Sequence, residues 1–388
     1  MKVVVTGLIG NYPLGGVAWD YLQFVKGFVA LGCEVTYLED TGQWSYSPRL
    51  QSFTEDPTDN VRYLRDVMAR VAGMESSFAF RDARGVMHGL TDAEVTRRCR
   101  GADLFLNISG AVWFRDAYRG ARVTAYYDSD PLYTQAGVVA FEEQGGDESQ
   151  ARTVGWFRAH DVFFTMAENI ADPDCAVPRC GVEWKTTRQP ITLDDWPLRF
   201  DAAASSFTTV MSWKTQPALP VLGGKVYGGK DVEFRRFIDL PRRSRARLEI
   251  ALSGPAPREE IARHGWMLVD AAERSSTMER YRDFIGGSRA EWSIAKEAYV
   301  GSRSGWFSCR SACYLAMGKP VVVEDTGFSR IYPQGEGVFG FGTLDEAVAG
   351  IEAIERDYRR QCEAARATAE RFFRAETVLE RLIRDAGL

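Results

Sequence analysis

The feature that most restricts the fold is the order of events in the first forty residues. Val3, Val4, Val5 and Thr6 form an unbroken β-branched run after Lys2. Such a run suits a strand covered on both faces in a parallel sheet. A turn-rich stretch, residues 7–16, follows. Val17, Tyr21, Phe24, Val25 and Phe28 then recur at spacings of three and four, the mark of a helix with one apolar face. Gly32 is placed to stop that helix, and residues 34–38 read as a second strand. A strand, a helix and a second strand make a βαβ unit, which dictates a parallel sheet and a right-handed crossover.

The rhythm continues. Residues 102–108, 123–127 and 161–166 read as further strands. They run into Asn107-Ile-Ser-Gly110, Asp128-Ser-Asp130-Pro131 and Ala167-Glu168-Asn169. Open α/β sheets place their ligands beyond the carboxyl ends of strands, where these polar residues fall. Residues 41–100 are less regular, with helices expected near 60–71 and 92–99. Residues 187–207, with two prolines and a small-residue run, read as a linker. A second series follows, with strands at 208–211, 248–252, 266–269, 292–294, 320–323 and 338–341. Thr343 and Glu346 have capping-box spacing ahead of a helix, and helical periodicity runs to the end with a break near Phe373. A chain of 388 residues exceeds one core. The expectation is two Rossmann-like, doubly wound parallel-sheet domains facing a cleft. Residues 1–190 form the first, 205–365 the second, and 366–388 a helix returning to the first.

Composition narrows the partners. A net charge of −5 with no basic tail or long Lys/Arg run argues against a broad nucleic-acid surface, while leaving room for local cations around one diphosphate. The seven cysteines are scattered and show no C-x-x-C pair, so reduced thiols are expected rather than disulfides or zinc. The three histidines lie far apart in sequence, which disfavours a metal site. The opening reads as a strand rather than a signal peptide, and no apolar run of about 18 residues spans a bilayer. The expected compartment is the cytoplasm.

The most specific stretch is residues 301–328, GSRSGWFSCRSACYLAMGKPVVVEDTGF. Its order is loop, helix start, helix, Gly-Lys-Pro turn, strand and polar turn. Small and hydroxyl residues (Ser302, Ser304, Gly305, Ser308) let amides approach an anion at the helix start, where the helix dipole favours negative charge. Arg303 and Arg310 would add charge-assisted bonds. Asp325, Thr326 and Gly327 lie beyond the following strand, placed for sugar or ribose hydroxyls.

This stretch resembles the donor-binding segment of GT-B glycosyltransferases. Gly305-Trp306-Phe307-Ser308 is similar to the Gly-Trp-Asn-Ser of natural-product and plant transferases. Ala316-Met-Gly318-Lys-Pro320-Val-Val is similar to their Ala-Gly-x-Pro turn. Gly337-Val-Phe followed by Leu344-Asp-Glu-Ala347 resembles the next strand and helix of the superfamily. Gly15-Gly16, opening the first helix, resembles a segment that approaches the donor phosphate. The resemblance implies sugar transfer from a nucleoside-diphosphate sugar, UDP or dTDP, to a small-molecule or glycan acceptor. No cofactor or metal is implied beyond that co-substrate, and the oligomeric state is left open to a homodimer. It also implies Lys214, after the first strand of the second domain, as a phosphate contact. The family's ribose-binding Glu is absent, since the matching helix reads Cys309-Arg310-Ser311-Ala312-Cys313. Ribose recognition then shifts to Ser311, Asp325 or Glu324. The glycine-rich residues 223–230, with Lys225 and Lys230, read either as a second phosphate cradle or as a flexible connection.

An inverting transferase needs a base for the acceptor hydroxyl. Asp128 and Asp130 are the leading candidates, then Asp20 on the first helix, with Glu168 also after a strand. Trp44, Trp113 and Tyr133 are candidate acceptor contacts, because aromatic faces stack on sugars and flat acceptors. Two other readings compete. One is a GT-B-fold epimerase or non-catalytic binding protein. The other is an NAD(P) oxidoreductase, in which the first loop would hold the dinucleotide and Glu39-Asp40 its ribose. The glycine spacing of that loop is wrong for a dinucleotide, and a Tyr-x-x-x-Lys pair is missing.

Overall fold

A computed structural model describes residues 1–214, 222 and 224–388. Gly223, in the glycine-rich stretch read above as either a phosphate cradle or a flexible connection, lies outside the described residues. The strands are β1 (Lys2–Thr6), β2 (Glu34–Glu39), β3 (Ser45–Ser47), β4 (Ser52–Thr54), β5 (Phe78–Arg81), β6 (Met87–Gly89), β7 (Leu104–Ile108), β8 (Val123–Asp128), β9 (Val162–Thr165) and β10 (Trp184–Thr186) in the first half. The second half adds β11 (Ser206–Ser212), β12 (Arg247–Ser253), β13 (Met267–Asp270), β14 (Ala290–Ser293), β15 (Val321–Glu324) and β16 (Val338–Phe341).

Two large sheets result. The N-terminal one has eight strands in the order β10-β9-β8-β7-β1-β2-β5-β6, parallel except for β6, which runs antiparallel to β5. The C-terminal one has six parallel strands in the order β13-β12-β11-β14-β15-β16. The fold is therefore two Rossmann-like α/β lobes. Strand order reverses between β1 and β7 in the first sheet and between β11 and β14 in the second. Crevices at such reversals are where doubly wound sheets bind ligands.

The first helix, Gly15–Ala30, buries Leu22, Phe24, Val25 and Phe28, as its periodicity requires. Fully burying each such side chain stabilises by about 1.5–3 kcal/mol. Thr343 and Glu346 form the expected capping box on helix Leu344–Arg356. Helices Tyr358–Phe372 and Ala375–Asp385 are separated at Phe373. The last helix packs on the first: a Cβ on Gly27 would stand 2.5 Å from Leu379.

Two regions depart from expectation. Residues 187–207 hold Ile191 and Trp196 fully buried, and Trp196 Nε1 donates to Gln23 at 3.0 Å, so the segment is welded into the core rather than loose. Residues 41–54 form a small antiparallel hairpin, β3–β4, that periodicity did not reveal because each strand is three residues long.

Candidate functional site

The lobes meet along the carboxyl ends of both sheets, and one apolar cluster is continuous across them. It joins Trp19 and Leu22 of the first lobe to Met278, Tyr281, Phe307 and Tyr314 of the second. Trp19 Nε1 donates to Met278 O at 3.0 Å. Gly15 lies so close to the second lobe that a Cβ would stand 2.2 Å from Thr277 O, and a Cβ on Gly16 would press on Tyr281. Both glycines thus admit the facing lobe.

Asn169 works as a wedge from the first lobe. Its Nδ2 donates to Arg303 O at 3.2 Å and Gly327 O at 3.0 Å, and its backbone N–H donates to Ser304 O at 3.0 Å. Gly305 and Gly327, at φ +77° and +97°, leave the room it occupies. Trp306 Nε1 donates to Ser129 O of the first lobe at 2.9 Å, and its ring lies 4.3 Å from that of Tyr299. Ser304 is fully buried, Thr326 Oγ1 donates to Trp306 O at 2.5 Å, and Asp325 accepts from Gly327 N and Ser329 N. The glycine- and hydroxyl-rich loops read above as donor contacts therefore use most of their polar groups to join the lobes and shape the turns. Arg303 itself is exposed.

Beside these contacts, helix Cys309–Ala316 begins at Ser308, whose side chain caps none of its amides. The first N–H groups of a helix have no partner within it, so this end is an electropositive surface. A crevice of about 20 Å³ opens there between Ser293, Arg310, Ser311, Glu324 and Thr326, room for about one water. The buried Ser311 hydroxyl, which lines it, has no partner among the described residues. Glu324 is fully buried. It accepts from Ala295 N at 3.1 Å and from Arg236 at 3.1 Å. Burial and the neighbouring Glu233 push its carboxyl upward.

Cations gather at the same place. Arg310 donates to Glu291 at 2.6 Å, to Val210 O at 2.9 Å and to Ser293 Oγ, leaving part of its donor fork unassigned. Lys296 donates to Asp130 at 2.9 Å and stands over the Tyr133 ring at 4.5 Å. Lys230 opens helix Lys230–Phe237 and has no hydrogen-bond or ion-pair partner among the described residues. Burial, with Arg310 and Lys296 as like charges, holds its ammonium well below the usual lysine range. Lys214, in contrast, is exposed and 3.6 Å from Asp231. Lys230 was legible only as half of an ambiguous glycine-rich stretch, because its companions come from residues 296 and 310.

The carboxylates differ in their surroundings. Asp128 is buried and accepts from Gln135 and Thr165, each at 2.7 Å, and burial lifts it to about 7. Asp130, half open to solvent, also accepts from Tyr299. Enclosure pushes it up, but Lys296 and the Tyr299 hydroxyl outweigh that and hold it below the ordinary value. Glu168 is tied to Arg188 and Tyr332. Asp20 is partly buried, and its carboxylate has no hydrogen-bond partner among the described residues. Burial lifts it to about 7, Asp130 adding to the rise and Arg310 opposing it. A carboxyl poised near neutrality is a general-base signature.

Glu39 accepts from Gly10 N at 2.8 Å, Asn11 N at 2.9 Å and Tyr37 OH at 2.7 Å, and Asp40 is bound by Arg115 and Tyr118. Both acids that a dinucleotide ribose would need are committed to the protein itself. Trp113 packs over Gly42 and beside Trp156, whereas Trp44 is exposed on the loop before β3. Among the described residues, no group of three or more His, Cys, Asp or Glu side chains is arranged to hold a metal ion, and no helix is long and apolar enough to cross a membrane.

Neither a family model nor a curated protein sequence matches the chain. Solved structures match over its whole length. The Anabaena protein HepE in complex with UDP-glucose superimposes with a TM-score of 0.58 at 13% identity, covering 100% of this chain and 99% of that one. An α-glucosyltransferase bound to UDP and DNA gives 0.57 at 11%, covering 100% and 99%. AviGT4, a glycosyltransferase involved in avilamycin A biosynthesis, gives 0.51 at 15%, covering 100% and 97%. At these identities the likeness is one of fold.

Proposed function

We propose that this chain, which has the two-lobed GT-B fold, transfers a glycosyl unit from a nucleoside-diphosphate sugar to a hydroxyl of a small molecule or glycan. The observation that carries the reading is Lys230, a buried amine with no hydrogen-bond or ion-pair partner among the described residues, beside Arg310, Lys296 and an uncapped helix start. Arg310 and Lys296 already face Glu291 and Asp130, whereas Lys230 has no ion-pair partner among the described residues, and a diphosphate would supply the anion it lacks. UDP or dTDP is the expected carrier. The structural neighbours include complexes with UDP and UDP-glucose, which agrees with this.

The chemistry follows from the charges. As the bond from the sugar to the diphosphate breaks, negative charge grows on the leaving phosphate, and fixed cations and helix amides stabilise it without a metal ion. Asp20 would take the proton of the attacking hydroxyl. It suits this role better than Asp128, which is enclosed by Gln135 and Thr165, or Asp130, which is neutralised by Lys296. The donor is expected to lie between the lobes, which close on it. Closure then keeps water from the reacting carbon. All seven cysteines are free thiols, which fits a cytoplasmic enzyme.

Thermal shift with UDP, dTDP, GDP, NAD and NADP tests the reading. Stabilisation by UDP or dTDP is expected. It should fall in Lys230→Met, which removes the cation while keeping the stem. Stabilisation by NADP alone would overturn it.

A further inference from the structure

The hairpin β3–β4 carries an aromatic surface that the donor site does not use. Phe53 and Trp44 are 54% and 41% exposed, and Leu50 at the turn is 52% exposed. Singly exposed apolar side chains are ordinary, but three within ten residues form a patch. Tyr12, on the loop after β1, joins it. Its ring lies 6.1 Å from Tyr46, stacked, and 6.2 Å from Phe53, edge-on, while Tyr46 and Phe53 are 6.0 Å apart.

The patch is fixed to the cleft. Tyr46 N donates to Asn11 O at 2.9 Å, and Asn60 Nδ2 donates to Gly10 O at 2.7 Å and Tyr46 O at 2.9 Å. The hairpin is thus held on the loop that leads directly into the helix bearing Asp20, at the carboxyl edge of β1 and β2.

Its chemistry is apolar and neutral. The Ser45 and Ser47 side chains are buried, and Thr54 Oγ1 accepts from Asp56 N, so this face has few hydroxyls for sugar hydroxyls to meet. Of the charges around it, Arg84 pairs with Glu55 at 3.0 Å and Arg62 with Asp59 at 2.5 Å, and Arg49 alone is exposed in the hairpin turn. A glycan would leave its hydroxyls unmatched here, and an anionic lipid surface would find no free cluster of cations. We propose that Tyr12, Trp44, Tyr46 and Phe53 form a platform for the flat, uncharged ring system of the acceptor. The preferred acceptor is therefore a ring-bearing alcohol or phenol rather than a linear glycan. This rests on the transferase reading for its meaning, though not for its binding measurement.

Saturation-transfer NMR on the full chain, with 4-methylumbelliferone and maltohexaose as probes, tests it. The phenol is expected to bind, and Phe53→Ala combined with Trp44→Ala to weaken it tenfold or more at unchanged melting temperature and unchanged UDP binding. The platform is overturned if maltohexaose binds instead, if neither probe binds, or if the double variant keeps the phenol. It is likewise overturned if the double variant splits a dimer in sedimentation or loses adhesion to neutral vesicles, since the patch then covers a second copy or a membrane. Absence of UDP binding in the unaltered protein, with the phenol still bound at the patch, would instead defeat the transferase reading.

Discussion

Lys296 of the C-terminal lobe donates to Asp130 of the N-terminal lobe at 2.9 Å, and Tyr299 reaches the same carboxylate. A carboxylate of the protein thus rests on a cation that a donor diphosphate would need. Because the Asp130 carboxylate is half open to solvent, the pair contributes on the order of 1 kcal/mol or less. Asp130→Asn should free Lys296 and tighten UDP binding by about two- to fivefold, a range that follows from that bound. Isothermal titration of both proteins checks it, and weaker binding in the variant would contradict the arrangement.

Asp20 should set the pH dependence of turnover. A base works only when ionised, so kcat/KM is expected to rise with pH and level off above about 7, where its carboxyl is placed. Asp20→Asn should reduce transfer about 10²- to 10⁴-fold, the usual worth of general-base catalysis, while UDP still binds. Removing the like charge in Asp130→Asn should move the rising limb to lower pH, since Asp130 helps to raise Asp20. A pH–rate profile of the three proteins reads both effects.

Asp128 should make the fold less stable as pH rises. Its folded value, about 7, lies above the ordinary carboxyl value of 3.8, so between these the folded state binds more protons than the unfolded one. Stability then falls as pH increases through that window and stays low above it. Asp128→Asn keeps the shape without the buried charge. The loss of melting temperature between about pH 5 and 8, the range around the folded value, should be smaller in the variant. Scanning calorimetry across that range provides the measurement.

Gly327 should be intolerant of any side chain. At φ +97°, with Asn169 Nδ2 2.6 Å from where a Cβ would stand, alanine meets both backbone strain and the interlobe wedge. Gly327→Ala is expected to destabilise by about 1–3 kcal/mol. Asn169→Ala should relieve the clash but not the strain, so the double variant recovers only part of the loss. Chemical denaturation of the set would test this, and full recovery would mean that strain at Gly327 is negligible.

The sequence alone determined the α/β class, the two-lobe plan and the helix start at Ser308, because each of these is local. A β-branched run, a period near 3.6 and a Gly-Lys-Pro turn are written within a few consecutive residues. The same local patterns could not tell a donor-binding glycine from one that admits a neighbouring chain segment, as at Gly305 and Gly327. They could not foresee that Glu39 would hold Gly10 and Asn11, or that Asp130 would meet Lys296. Only the tertiary structure decided which polar groups are consumed by partners and which, such as Lys230, Ser311 and the Asp20 carboxylate, stay bare among the described residues. The reason is physical: solvation and Coulomb energy depend on distance in space, and the groups that set them here come from segments separated by up to hundreds of residues.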